Sequence, residues 1–125
     1  MKFASVRLIT DQVGRLTDFY EQVTGVEARR YTPDFAEVMT SGAVLAIGSV
    51  ATAGFARKGS AAILELRVED VDAEFDRLRE VIGEPVQGPT TMPWGNRSLL
   101  FRDPDGTLIN LFTPVSPEAI ARQDR

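Results

Sequence analysis

Residues 93–112 read PWGNRSLLFRDPDGTLINLF, two β-type runs on either side of a sharp turn. Arg97 to Arg102 and Thr107 to Thr113 each alternate apolar with other side chains, the period of a half-buried strand. Between them Asp103-Pro104-Asp105-Gly106 places Pro and Gly where a type I turn favours them, so the stretch reads as a β-hairpin. Pairing Arg102 with Thr107 across that turn sets Phe101 opposite Leu108, Leu99 opposite Asn110 and Arg97 opposite Phe112.

The chain ahead of the hairpin supplies a strand and a helix. Ala62, Leu64, Leu66 and Val68 alternate with Ile63, Glu65 and Arg67. Asp70 then offers an N-cap, and Val71, Phe75, Leu78 and Ile82 recur at helical spacing until Gly83 stops them. The same order occurs earlier. Phe3 to Thr10 alternates, Asp11 offers a cap, and Val13, Leu16, Tyr20 and Val23 form a helical stripe ended by Gly25. β-type runs follow at Val26 to Tyr31, Phe35 to Thr40 and Ala43 to Val50, divided by turn residues. Shifting one half by 58 residues lays Val6 on Leu64, Leu8 on Leu66, Val13 on Val71, Val23 on Val81 and Gly25 on Gly83. Two copies of one supersecondary unit explain these coincidences. The expected fold is α+β: two βαβββ modules, 1–50 and 61–114, forming a curled mixed sheet with helices outside and a concave inner crevice. Residues 51–60 are read as a linker, and the tail 115–125 as a short helical turn after Ser116.

Composition narrows what such a fold can do. The 125 residues are 43% hydrophobic and 26% charged, the make-up of one globular domain. With 14 basic against 18 acidic residues the net charge is -4, so no polyanion is drawn to the surface and nucleic acid is not an expected partner. No apolar run approaches the ~20 residues that span a bilayer, and the expectation is a cytoplasmic protein without a membrane partner. The chain contains no Cys and no His. Disulfides, thiol catalysis, Cys/His zinc sites and imidazole general bases are therefore excluded, leaving carboxylates, Lys, Tyr, hydroxyls and amides.

The strand, cap and helix with Phe19-Tyr20 and Gly25, then LRVEDVDAEFDRL, then PWGNRSLLFRDPDGTLINLF, together resemble the vicinal oxygen chelate superfamily of glyoxalases, bleomycin-resistance proteins and dioxygenases. The resemblance implies a small-molecule crevice and a homodimer. It also implies metal ligands on the first and fourth strands of each module, positions that carry over to Ser5, Ala46, Ile63 and Asn110. None is His, Asp or Glu, so neither a divalent metal nor another cofactor is expected.

Strand parity then suggests what lines the crevice. If Ser5, Ile63 and Asn110 face inward, so do Arg7, Glu65, Arg67 and Phe112, and the expected hairpin register adds Phe101 and Arg97. Arg7 and Glu65 occupy equivalent places in the two modules. They read either as polar anchors for a ligand or as a buried ion pair in place of the metal. A poorly paired, desolvated Glu65 would be the candidate base. Trp94 is placed to stack a planar ligand at the crevice mouth or to pack against its rim, and Phe55 is a weaker candidate for a lid or dimer contact. The ligand-binding set is thus Ser5, Arg7, Glu65, Arg67, Trp94, Arg97, Phe101, Asn110 and Phe112. Binding without conversion of a planar or amphipathic small molecule is the first reading. A metal-independent enzyme using Glu65 is the second, and a module kept only for assembly the third.

Overall fold

A computed structural model describes residues 1–53 and 62–124. The chain divides into two compact units, Met1–Ala61 with Pro104–Gly106 and Ala62–Asp103 with Thr107–Arg125. Each unit carries one four-stranded mixed sheet.

In the first unit β1 (Ser5–Ile9) lies parallel to β4 (Val44–Gly48), which is antiparallel to β3 (Phe35–Met39), and β2 (Arg29–Thr32) forms the edge. Helix α1 (Val13–Thr24) packs on β3 and β4. Its stripe of Leu16, Phe19, Tyr20 and Val23 is buried along with Leu8, Ala36, Val38 and Ile47. Phe19 and Tyr20 meet edge to face, with centroids 5.4 Å apart. Gly25 ends the helix in the left-handed region, as expected, with φ 71°. Asp11 is not the cap. The residue before the helix is Gln12, whose side chain makes no capping bond, while its N–H donates to Thr10 Oγ1 at 3.1 Å.

The edge strand β2 is fastened to α1 by charge. Arg30 Nη2 meets both Asp18 Oδ1 and Glu21 Oε1 at 2.7 Å, and Glu21 Oε2 accepts the Ala28 N–H at 2.7 Å. The Ala28 N–H, followed by the Arg30 guanidinium, holds the Glu21 carboxyl below its ordinary range. Because that lowering exists only in the folded chain, its stabilisation is complete above the ordinary glutamate range and disappears as pH falls through the depressed value. Urea denaturation of Glu21→Gln should accordingly give a shallower loss of stability on acidification than the parent. Identical acid limbs would remove Glu21 from the account.

The second unit repeats the plan. β5 (Ile63–Arg67) is parallel to β8 (Leu108–Pro114), β8 is antiparallel to β7 (Asn96–Arg102), and β6 (Gln87–Thr91) is the edge. Helix α2 (Val71–Ile82) begins where Asp70 accepts the Ala73 N–H at 3.2 Å and stops at Gly83. The tail folds as α3 (Pro117–Gln123), capped by Ser116, whose Oγ accepts the Ala119 N–H at 3.0 Å. β6 was hidden in the sequence because QGPTT has neither alternation nor β-branched richness until its last two residues. A proline is tolerated there because an edge strand need not donate from every position.

The internal repeat is explicit in the register. Ser5 pairs with Val44 and Arg7 with Ala46; Ile63 pairs with Leu108 and Glu65 with Asn110. Arg7 corresponds to Glu65, as the 58-residue overlay expected, and Ala46 to Asn110, as the resemblance implied. Each unit therefore has one face under its helix and one turned away from it.

The expected hairpin register does not hold. Arg102 pairs with Leu108, which puts Phe101 opposite Ile109, Leu99 opposite Leu111 and Arg97 opposite Thr113. Five residues, not four, lie in the turn. Asp103 N–H donates to the Thr107 carbonyl at 2.9 Å, but Thr107 N–H is taken by the Asp103 carboxylate, also at 2.9 Å. The side chain thus intercepts the bond that would have been the first rung of the ladder. A slip of one residue turns every side chain of a strand to the opposite face. Phe101 and Arg97 accordingly lie on the helix side, and Asn96, Ser98, Leu100 and Arg102 on the other.

Candidate functional site

On the face of the second sheet turned away from α2, β5 and β8 present Ile63, Glu65, Arg67, Leu108, Asn110 and Phe112. These are the residues that strand parity assigned to an inward face. β7 adds Asn96, Ser98 and Leu100. A pocket of about 480 Å³ opens here, lined by Glu65, Trp94, Asn96, Phe112, Arg122 and Gln123. Its volume falls in the range of small-molecule sites.

Three of the expected residues, Glu65, Trp94 and Phe112, line this pocket. Asn110 stands beside it through Glu65: its Nδ2 donates to Glu65 Oε2 at 2.8 Å. A carboxylate oxygen can only accept, so the amide nitrogen must face Glu65 and the amide oxygen must face elsewhere. Asn110 Oδ1 is buried and has no partner. Asn96 Oδ1, in the pocket wall, is buried and unpaired as well, on a residue only 7% exposed. An orphaned buried acceptor costs roughly 1–3 kcal/mol of desolvation, which a ligand donor would recover.

The remaining expected residues lie elsewhere. Arg67 is on the correct face but is bound to Asp124 after α3, with Nη1 to Oδ1 at 2.6 Å. Arg97 leaves the site altogether: on the helix side its Nε and Nη2 clasp Asp72 of α2 at 2.7 and 3.0 Å. That clasp holds the Asp72 carboxyl below its usual range. Phe101 is fully buried in the α2 core. Ser5 and Arg7 belong to the first unit, where both are exposed. Glu65 is exposed too. Phe55 lies outside the described residues.

Sequence reasoning missed Asn96, Arg122 and Gln123. Asn96 was missed because the four-residue turn put it on the opposite face, and only the observed register sets it on the pocket face. Arg122 and Gln123 carried no signal, because only the folding back of α3 brings them there. That return is anchored at Gly95, whose carbonyl accepts both the Val115 and Ser116 N–H groups, at 2.9 and 3.1 Å. Arg122 Nη2 completes it by donating to the Trp94 carbonyl at 2.9 Å. Gly95 itself has φ +94°, and a Cβ there would stand 2.0 Å from Ser116 Oγ.

A second cavity, of about 360 Å³, lies between α1 and the β2–β3 edge of the first unit, lined in part by Thr17, Arg30 and Tyr31. Its polar groups are already engaged: Thr17 Oγ1 donates to the Val13 carbonyl, and Arg30 to Asp18 and Glu21. It offers a ligand less than the second unit's pocket does.

The family model for the Glyoxalase/Bleomycin resistance protein/Dioxygenase superfamily matches residues 2–111. The chain belongs to that superfamily. Solved structures agree in fold. A member of the family from Burkholderia phytofirmans PsJN superposes with TM-score 0.82 at 14% identity, covering 92% of this chain and all of that one. A superfamily member from Sphaerobacter thermophilus gives 0.73 at 26%, covering 90% and 97%. TioX from Micromonospora sp. ML1 gives 0.73 at 24%, covering 92% and 100%. No curated protein matches the chain.

The superfamily's metal positions test poorly on this chain. Ser5 contributes a hydroxyl, Ala46 and Ile63 no donor atom, and Asn110 an amide whose nitrogen is committed to Glu65. Among the described residues no group of three or more His, Cys, Asp or Glu side chains converges. This donor set does not fit a catalytic divalent cation, and no reaction step is routed through one. Helix α3 begins beyond residue 111, where the family match ends, so the pocket wall made by Arg122 and Gln123 is an addition to the matched region.

Proposed function

We propose that this protein binds a small molecule in the pocket of its second unit without the help of a metal, and holds it unchanged. The observation that carries the reading is the unpaired, buried Asn96 Oδ1 in the wall of a 480 Å³ pocket otherwise lined by Glu65, Trp94, Phe112, Arg122 and Gln123. Two aromatic side chains beside polar groups able to orient a bound molecule are ingredients of a ligand site. The four side chains at the superfamily's metal positions support metal independence.

A thermal-shift screen against planar and amphipathic compounds, glycopeptide and aromatic antibiotics among them, tests this directly. At 100-fold excess over Kd a ligand raises stability by about 2.7 kcal/mol, an easily resolved rise in melting temperature. The rise should be the same in EDTA as in zinc or manganese. Dependence on the added metal would defeat the reading, as would the absence of any stabilising compound. Light scattering of the same samples should give twice the chain mass, since the proposal takes the protein as a cytoplasmic homodimer.

An enzymatic reading keeps one observation in its favour, the exposed Glu65 carboxylate at the pocket wall with Asn110 steadying one of its oxygens. Assembly without binding is the weaker alternative, because a module kept only for assembly needs no pocket.

A further inference from the structure

We infer that the ligand of this pocket is a flat molecule whose polar end donates hydrogen bonds and carries positive charge, in the manner of an aryl amidine or a benzylic amine. The inference rests on the proposed binding function and adds the chemical class of what is bound.

The buried unsatisfied polar atoms at the pocket are acceptors. Asn96 Oδ1 is buried in its wall without a donor, and Asn110 Oδ1 is orphaned in the same way beside Glu65. Asn110 cannot correct this by turning its amide over, since that would set oxygen against the Glu65 carboxylate. Glu65 receives only this neutral amide among the described residues, so its negative charge is not cancelled by a cation. Arg67 is paired with Asp124, whereas Arg122 lines the pocket and keeps its charge while donating to the neutral Trp94 carbonyl, so the cationic end of the ligand belongs against Glu65. An acceptor-only ligand such as a carboxylate would leave Asn96 Oδ1 unpaired and face Glu65 with like charge. A ligand rich in N–H donors satisfies both.

The apolar part of the ligand follows from the ring positions. Phe112 lies on β8 next to Glu65's partner Asn110, and is 7% exposed. Trp94 is 56% exposed although it is the largest side chain of the lining. An indole held at a pocket mouth by bonds to its own backbone, yet left open on its face, is suited to stacking a planar cation. The Arg122 bond to the Trp94 carbonyl and the Gly95 contacts with Ser116 hold that part of the backbone in place before a ligand arrives.

Benzamidine, benzamide and benzoate form a matched test set of one ring with a cationic donor, a neutral donor and an anionic acceptor. Binding to the full chain is read from the side-chain amide signals of Asn96 and Asn110 by NMR. Emission of Trp94, the sole tryptophan, gives a second readout at excitation wavelengths the probes do not absorb. The expected order is benzamidine first, benzamide weaker, and benzoate without effect up to about 10 mM. Glu65→Gln should weaken benzamidine about fivefold and leave benzamide nearly unchanged, as loss of one partly exposed charge contact predicts. Asn96→Ala should weaken both donors while leaving the melting temperature in place, because it removes an acceptor that has no internal partner. Benzoate binding as tightly as benzamidine at the same residues overturns the ligand class while the binding function stands. So does a benzamidine affinity indifferent to Glu65→Gln. Failure of all three probes to move Asn96 or Trp94 overturns the inference together with the pocket on which it rests.

Discussion

Phe101→Ala should lower the unfolding free energy by about 3–5 kcal/mol, the range for deleting a buried aromatic side chain. The residue has no exposed surface and faces α2 beside Leu99 and Ile109. Against a total stability of roughly 5–15 kcal/mol for a domain of ordinary size, the loss is large. If Phe101 lined the ligand pocket instead, the same substitution would weaken binding and cost much less stability. Denaturant unfolding separates the two. Arg97→Ala is the companion measurement, since its Asp72 clasp is a surface ion pair whose loss should change stability little. It should leave binding unchanged, because the guanidinium is on the helix side. Loss of binding in Arg97→Ala with normal stability in Phe101→Ala would restore the four-residue turn and overturn the observed register.

Gly95→Ala should be the most damaging single methyl group added anywhere near the pocket, costing about 2–4 kcal/mol. Two effects add. The backbone is at φ +94°, where a side chain is strained, and the new Cβ would meet Ser116 Oγ at 2.0 Å, Ser116 Cβ at 2.8 Å and Ala119 Cβ at 3.0 Å. Relief requires α3 to move off the Trp94-Gly95 turn, carrying Arg122 away from the Trp94 carbonyl. Trp94 emission and its quenching by acrylamide should therefore change along with stability. Pairing the substitution with Ser116→Gly removes the closest two contacts at a capping cost of only a few tenths of a kcal/mol, and should restore part of the loss. An undisturbed Trp94 spectrum in Gly95→Ala would mean that α3 does not hold the turn.

Both expectations concern places where the chain's local pattern and its tertiary structure diverge. The Asp103-Pro104-Asp105-Gly106 run announced a turn and a hairpin, and both are present. It could not announce that the Asp103 carboxylate would take the Thr107 N–H, because a turn hydrogen bond to a side chain or to a carbonyl uses the same residues. That one bond decides whether Arg97 and Phe101 or Asn96 and Ser98 lie on the face that carries the pocket. Glu65, Asn110 and Phe112 share one face, as parity gave them, because their strands are parallel neighbours with an intact ladder and parity carries through without passing a turn.

By itself the sequence determined the repeated strand-helix unit, the α2 cap and the stop signals at Gly25 and Gly83, all of which depend on periodicity and on residues adjacent in the chain. It also determined the donor poverty of Ser5, Ala46, Ile63 and Asn110, which is a matter of residue identity alone. Only the tertiary structure decided the face of β7, the edge strand that QGPTT conceals, and the pocket wall supplied by Arg122 and Gln123. Those features depend on hydrogen bonds and packing between residues far apart in the chain, whose energies no local pattern encodes. The unpaired Asn96 Oδ1 is the clearest case: an asparagine is polar in any sequence, and becomes a demand for a ligand donor only when folding buries it.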